Sequence, residues 1–253
     1  MKSKHKKDLI SIIMPVHNGE KTIKESIKSV LSQTYQHWEL IIINDCSIDQ
    51  TQDCIKYFTD PRIIYLEQKV NSGTPATPRN MGINTSKGKY IAFLDADDIW
   101  RPEKLEYQIS KLSEGYNIVC SNYSTFKQDP KKVINNRKFP EIIKYQTMLK
   151  KNCVGNLTGI YNREKLGIIE QKTKGHEDYI MWLELAKKAG EIYCIQETLA
   201  YYRIHDKSIS SNKFKAAIWQ WRIYREELKF NIIKSIYLFS QYAILSLSSI
   251  ARK

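Results

Sequence analysis

Over the first hundred positions, apolar residues fall in short runs separated by polar turns. Leu9-Ile-Ser-Ile-Ile-Met14, closed by Pro15 and Gly19, predicts a buried strand and its turn. From Lys21 to Ser32 the residues Ile23, Ile27, Val30 and Leu31 recur at helical spacing, and Trp38-Glu-Leu-Ile-Ile-Ile43 predicts a second strand. The alternation continues with a helix from Thr51 to Phe58, a short strand Arg62-Ile-Ile-Tyr-Leu66, a Gly- and Pro-containing loop Asn71 to Pro78, and a segment Pro78 to Thr85. The run Lys89-Tyr-Ile-Ala-Phe-Leu94 follows. This order predicts an α/β fold with a mostly parallel sheet covered by helices on both faces. Such sheets bind ligands beyond the carboxyl ends of their strands. Three polar clusters meet at that edge: Pro15-Val16-His17-Asn18, Asn44-Asp45-Cys46-Ser47 and Asp95-Ala96-Asp97.

The last cluster puts two carboxylates where a parallel strand leaves the sheet. Hard oxygen ligands of this kind suit a Mg²⁺ or Mn²⁺ that also holds phosphates. Asp98, in the same turn, is expected to cap the helix that Trp100-Arg101-Pro102-Glu103 begins. Further along, Glu177-Asp178 precedes an amphipathic helix whose Ile180, Leu183 and Ala186 face a core. On the residues alone, that pair reads as first-turn acids favoured by the helix dipole.

The segments Ser11-Ile-Ile-Met-Pro-Val-His-Asn18, Ser29-Val-Leu-Ser-Gln-Thr-Tyr35, Asn44-Asp-Cys-Ser-Ile-Asp49, Pro78-Arg-Asn-Met-Gly82 and Tyr90-Ile-Ala-Phe-Leu-Asp-Ala-Asp-Asp98 closely resemble the family 2 glycosyltransferases. Glu177-Asp178 and Tyr202-Arg-Ile-His205 extend the resemblance, in family order, to about residue 211. The chain departs from the family pattern at Cys46, where Gly is common, and at His17, where Tyr is common. The resemblance implies the GT-A fold, a Rossmann-like sheet with a C-terminal helical extension. Residues 1–211 would form the catalytic domain, with about 9–100 binding the nucleotide sugar and about 101–211 the acceptor, and 212–253 would form the extension. It also implies an inverting, metal-dependent transferase that moves a sugar from a nucleoside diphosphate donor, with a UDP-sugar expected, to a hydroxyl of a growing surface glycan.

In that assignment Asp178 is the catalytic base and Glu177 supports it or contacts the acceptor. Pro15, Val16, His17, Asn18, Asp45, Arg79, Asp95 and Ala96 bind the donor nucleotide, and Asp97, Asp95 and His205 hold Mn²⁺ or Mg²⁺. The loop Asn71 to Pro78 is expected to close over the nucleotide. Transfer to a polyprenyl phosphate carrier, or a protein that binds sugar nucleotides or nucleic acid without catalysis, are the competing readings. The aromatic residues Trp100, Tyr107, Tyr116, Tyr123, Tyr145, Tyr161 and Trp182 serve either sugar stacking or the core. Gly155-Asn-Leu-Thr-Gly159 is expected at the acceptor by analogy.

Length and charge add partners to this picture. A 253-residue chain with 42% hydrophobic residues builds one core of its own. Five widely spaced cysteines without a Cys-x-x-Cys pair fit reduced thiols in a cytoplasmic protein. The net charge of +13 includes clusters at Lys2 to Lys7 and at Lys131, Lys132, Arg137 and Lys138, yet no nucleic-acid module accompanies them, so no nucleic-acid partner is expected. Near the C-terminus, Ile232, Ile236, Phe239, Ala243, Leu247 and Ile250 fall on one helical stripe. That stripe suits either an anionic membrane surface, with the protein peripheral on the inner face of the plasma membrane, or packing on the domain or on a second subunit of a homo-oligomer. The uncharged stretch Ser235 to Ala251 is slightly short for a bilayer span.

Overall fold

A computed structural model describes residues 8–173, 175–205 and 213–248. The Lys2 to Lys7 cluster, His5, Ser208 to Ser210, the Leu247 side chain and Ile250 lie outside what is described. The first half alternates β1 (Ile10–Val16), α1 (Ile23–Leu31), β2 (Trp38–Asn44), α2 (Thr51–Lys56), β3 (Ile63–Glu67), α3 (Ala76–Thr85) and β4 (Tyr90–Phe93). Then come β5 (Ile99–Trp100), α4 (Lys104–Ser113), β6 (Ile118–Phe126), β7 (Asn135–Arg137), β8 (Ile142–Lys144), α5 (Tyr145–Lys150), β9 (Ile160–Asn162) and α6 (Arg163–Leu166). The chain closes with α7 (Glu177–Ala189), β10 (Glu191–Arg203), α8 (Lys213–Arg222), a π-helical turn Ile223–Glu227 and α9 (Ile232–Ser248).

Among the described residues the strands form one sheet in the order β3-β2-β1-β4-β9-β6-β10-β5, with β7 on β6 and β8 on β10. Its long ladders, β1 with β2, β2 with β3 and β6 with β10, are parallel. The antiparallel pairings are two or three residues each. Both faces are covered, which is why every side chain of β1 and β2 is buried. Alternate residues supply opposite cores. Ile13 packs with Ile41, Ile43, Phe93 and Ile83 under α3, α5, α7 and α9. Ile10, Ile12 and Met14 pack with Leu40, Ile42, Ile27 and Val30 under α1, α2 and α4.

The chain leaves β1 to build β2 and β3 on one side, then crosses to add β4 on the other. The switch point therefore lies between the carboxyl ends of β1 and β4, where an open α/β sheet leaves a crevice. Pro15 fixes where the two strands part. Leu94 donates its N–H to the Ile13 carbonyl at 3.0 Å, and the next bond of a parallel ladder would come from the N–H of residue 15. Proline has none, so the ladder ends and Asp95-Ala96-Asp97 turns away from the sheet.

In the second half, three of the aromatic residues take the core role of the two open to them. Trp100, Tyr161 and Trp182 are core residues: the Trp100 indole donates to the Leu157 carbonyl at 2.7 Å, and Tyr161 and Trp182 are fully buried with their rings edge to face. Gly159 is pressed against Trp182, where a Cβ would come within 2.3 Å of the indole, so packing requires glycine at this position.

After β2, Cys46 adopts φ 56°. This is the left-handed conformation that glycine takes freely and that costs a side-chain-bearing residue about 1–2 kcal/mol. Cys46 thus holds, with local strain, a conformation that the Gly common at this position would take freely. Replacing Cys46 by Gly relieves the strain and returns part of the gain as unfolded-state entropy, so the variant is expected to be more stable by about 0.5–1 kcal/mol, a rise in Tm of roughly 2 °C by calorimetry.

Candidate active site

A cleft of about 560 Å³ opens at the switch point. Pro15, Val16, His17, Asn18, Asp45, Arg79, Asp95, Ala96, Asp97 and His205 all line it, together with Gly19, Thr22, Asn71 and Gly73 to Pro75. Backbone and side-chain bonds stitch the two loops at its base. Asn18, at φ 52°, donates its N–H to the Ser47 hydroxyl at 2.9 Å, and its side-chain oxygen accepts the Ile48 N–H at 2.9 Å. The Gly19 N–H reaches the Thr51 hydroxyl at 2.7 Å. The Asn44 carboxamide accepts the Ser47 N–H at 3.1 Å, so the acid that follows β2 is held from both sides.

That acid, Asp45, is buried and takes two bonds from the loop Asn71 to Pro78. Ser72 donates its N–H to Oδ1 at 2.9 Å and its hydroxyl to Oδ2 at 2.8 Å. Each oxygen keeps a lone pair for a further donor. His17 Nδ1 donates to the Asp45 carbonyl at 2.8 Å, which orients the ring across the cleft. Pinned at Ser72, the loop forms a wall of the cleft.

The opposite wall carries the acids. Asp95 Oδ1 is 2.5 Å from Arg79 Nη2, a charge-assisted contact with a guanidinium that is itself buried. Arg79 reaches it because α3 lies unusually close to the sheet: at Gly82 a Cβ would be 2.6 Å from Ile13 and 2.8 Å from Ile43. A second donor, Arg79 Nη1, bonds the Gln171 side-chain oxygen at 3.1 Å. Asn80 and Gln171 clamp each other reciprocally, Gln171 N–H to Asn80 Oδ1 at 2.7 Å and Asn80 Nδ2 to the Gln171 carbonyl at 2.8 Å. Gln171 is a site-supporting residue that carried no sequence signal, since nothing local marks a partner ninety positions away.

Asp97 Oδ2 faces His205 Nε2 at 2.7 Å. Burial raises the Asp97 pKa and the Asp95 charge adds to the rise, against the pull of His205. Asp98 is not a helix cap. It is buried, accepts the Arg203 N–H at 2.9 Å and leaves Oδ2 without a partner among the described residues, while α4 begins six residues later, behind Glu103. Burial, then Asp97 and Asp95, push its pKa well up. The sequence pattern missed this because the two-residue strand β5 intervenes before the helix.

Arg203 is the other residue that the motifs contained without assigning a task. Its Nε donates to the Asp97 carbonyl at 2.8 Å, its Nη2 to Glu25 on α1 at 2.5 Å, and its guanidinium stacks on Phe126 at 4.5 Å. One side chain thereby ties the Asp97-Asp98 backbone to α1 and β6.

Glu177 and Asp178 do not line the cleft; they stand directly behind its wall, in the first turn of α7. The Thr74 hydroxyl donates to Glu177 Oε1 at 3.3 Å. Asp178 is partly buried near Arg79 and Asp95. Burial raises its pKa, and the nearby Arg79 and His176 charges offset only part of the rise. The turn that delivers both acids is tightly folded: Gly175 has φ 79° and His176 φ 54°, and the His176 ring meets Trp219 of α8 edge to face at 4.9 Å. Among the described residues no three His, Cys, Asp or Glu side chains converge to hold an ion unaided.

A profile of the family described as Glycosyl transferase family 2 matches residues 11–167. A Bacillus subtilis (strain 168) protein named as the putative teichuronic acid biosynthesis glycosyltransferase TuaG is 39% identical over 94% of this chain and 95% of its own length. An Escherichia coli protein, UDP-Glc:alpha-D-GlcNAc-diphosphoundecaprenol beta-1,3-glucosyltransferase WfgD, is 36% identical over 94% of each. Among solved structures, residues 1–349 of S. aureus TarS in complex with UDP-GlcNAc superpose with TM-score 0.74 at 18% identity, covering 92% of this chain and 71% of that one. The mannosyltransferase PcManGT from Pyrobaculum calidifontis, in complex with GDP-Man and Mn²⁺, superposes with TM-score 0.68 at 15% identity over 96% and 75%. At such identities these two speak for the fold.

The close approach at Gly82 yields a direct test. Gly82→Ala puts a methyl group into Ile13 and Ile43 and lifts α3, so it is expected to cost about 1–3 kcal/mol in urea unfolding.

Proposed function

Because the chain belongs to glycosyl transferase family 2 and is a glycosyltransferase, we propose that it moves a sugar from a UDP-sugar to a hydroxyl of a lipid-linked, growing surface glycan, with inversion and with a divalent metal. The observation that carries this reading is the convergence of Asp45, Arg79, Asp95, Asp97 and His205 on one cleft at the switch point, with Asp178 beside Arg79 and Asp95, so that five separate segments supply the site. The names of TuaG and WfgD support a surface polysaccharide, and WfgD in particular a UDP-sugar donor and a glycan acceptor on a lipid diphosphate. An acceptor of that kind is held at a membrane, so the enzyme works there from the cytoplasmic side. The stretch to about residue 100 serves the donor, about 101–211 the acceptor, and 212–253 is an extension.

Asp45 takes the uracil N–H on the lone pairs that Ser72 leaves free, and Pro15 to Asn18 line the base and ribose. Asp95, held by Arg79, contacts the ribose side of the donor. Asp97 Oδ2 and His205 Nε2, with Asp95 in the same cleft, would hold a Mn²⁺ or Mg²⁺ together with the donor diphosphate. Such an ion supplies Lewis acidity that neutralises charge on the departing diphosphate.

Asp178 takes the proton of the acceptor hydroxyl. The freed oxygen pair forms the new bond to the anomeric carbon while the bond from that carbon to the diphosphate oxygen breaks, and single displacement inverts the centre. Burial suits Asp178 to this task, because a carboxylate with a raised pKa is the stronger base. Glu177, held by Thr74, steadies the turn.

Incubating the protein with UDP-sugars, Mn²⁺ and a synthetic sugar-diphosphate-lipid acceptor tests the whole reading; product is expected by mass spectrometry, and absence of both transfer and donor hydrolysis with every donor overturns it. Asp178→Asn is expected to lower kcat about 10²- to 10⁴-fold. Its stability should move the other way. A raised native pKa means the folded protein binds more protons than the unfolded chain between the ordinary value of about 3.9 and the raised one, so stability falls as pH rises through that window. Asparagine removes this penalty, and Tm at neutral pH should be equal to or above wild type. In wild type, kcat should fall with decreasing pH through the raised Asp178 pKa, and a flat acid limb would exclude Asp178 as base. Arg203→Lys retains the charge but not the fork that reaches Asp97, Glu25 and Phe126 together, and is expected to lower kcat by about 10- to 100-fold with the far-UV spectrum unchanged.

A further inference from the structure

Helix α9 is apolar on two opposite faces, and among the described residues only one of them is packed against the protein. Ser235 and Leu238 are buried, and Phe239 packs on the core and meets Trp221 edge to face at 5.7 Å. The expected stripe of Ile232, Ile236, Phe239 and Ala243 is therefore not the packed face: Phe239 turns inward while Ile232 and Ile236 turn out. Apolar residues on all sides let more than one helical stripe be drawn through the same sequence.

On the far side, Ile233, Ile236, Tyr237 and Ile244 follow at i, i+3, i+4 and i+11 and are 77%, 57%, 57% and 61% exposed. Four large side chains along one helix, separated only by Ser240, mark an interaction surface. The charge around it says what that surface fits. From Leu228 to the C-terminus the sequence holds Lys229, Lys234, Arg252 and Lys253 and not one Asp or Glu. The two acids nearest before it are engaged within the protein, Glu226 with Arg222 and Glu227 with Lys172. The Asn231 side chain caps the helix through the Lys234 N–H at 2.9 Å, so the element is built to end there.

We propose that the Ile233-Ile236-Tyr237-Ile244 face of α9 lies in the headgroup region of an anionic lipid bilayer, with Lys229 and Lys234 against the lipid phosphates. An exposed apolar face flanked by cations and free of acids is complementary to such a surface, whereas burial against a second copy would crowd the same lysines together. The helix lies on the membrane and does not cross it: its other face is committed to the protein, and among the described residues no helix is long and apolar enough to span. The inference is independent of the donor and acceptor assigned above.

Cosedimentation of the full chain with phosphatidylglycerol–phosphatidylcholine vesicles, against phosphatidylcholine alone, tests it. Binding is expected to the anionic vesicles, falling as salt screens the lysines. Ile233→Asp/Ile244→Asp is expected to lose at least about tenfold in vesicle affinity with the melting temperature and soluble donor hydrolysis unchanged. Lys229→Ser/Lys234→Ser, which leaves the apolar face intact, is expected to lose about fivefold per residue for anionic vesicles only. Wild-type protein that ignores both vesicle types overturns the proposal. So does a wild-type dimer by light scattering that the double aspartate variant converts to monomer, since the face then belongs to a second copy.

Discussion

Three carboxylates within four residues, Asp95, Asp97 and Asp98, are the constraint around which this structure is arranged. Burial raises the pKa of Asp97 and Asp98, and the neighbouring carboxylates add to the rise. Each acid has its own answer from a distant part of the chain: Arg79 of α3 for Asp95, His205 for Asp97, and the backbone N–H of Arg203 for Asp98. Supplying those answers requires α3 to sit hard against β1, which Gly82 permits, and requires β10 to end beside the β4 turn. The topology brings β10 back beside β6, parallel to it, to deliver Arg203 there. Removing a partner therefore leaves an uncompensated acid in a crowded site, a larger loss than the partner's own contact.

The architecture of the first half was legible because its strands are buried on both faces and so read as unbroken apolar runs: Ile10 to Val16, Trp38 to Asn44 and Tyr90 to Phe93 are the strands that pattern predicts. The second half was not. In β6, Ile118-Val-Cys-Ser-Asn-Tyr-Ser-Thr-Phe126 carries polar residues that are nonetheless buried, because Asn122 and Ser124 spend their side chains on the Gln196 carbonyl and on Asn136. A pattern of apolar positions cannot distinguish such a strand from a loop. Likewise Asp45 and the cleft-lining acids stood out as polar groups after apolar runs, whereas Gln171 and Arg203 owe their importance to contacts across the fold.

The Gly- and Pro-containing loop beside the cleft connects the two halves of the site. Ser72 holds both oxygens of Asp45, and two residues later Thr74 bonds Glu177, the neighbour of Asp178. Asp45 and Glu177 are far apart in the sequence, yet a shift of the three residues Ser72 to Thr74 moves both. Gly73, at φ 68°, allows the reversal between the two contacts, and Pro75 starts α3, whose next turn carries Arg79. The same short segment thus sets the distance between the Asp45 pocket and the turn bearing Asp178 at one end and the Arg79–Asp95 pair at the other. A group that draws on Asp45 competes with Ser72 for its lone pairs, and any loosening there is transmitted along fixed backbone to Thr74. The wall of the cleft is therefore a lever between its two chemistries, and its rigidity comes from side-chain bonds at both ends.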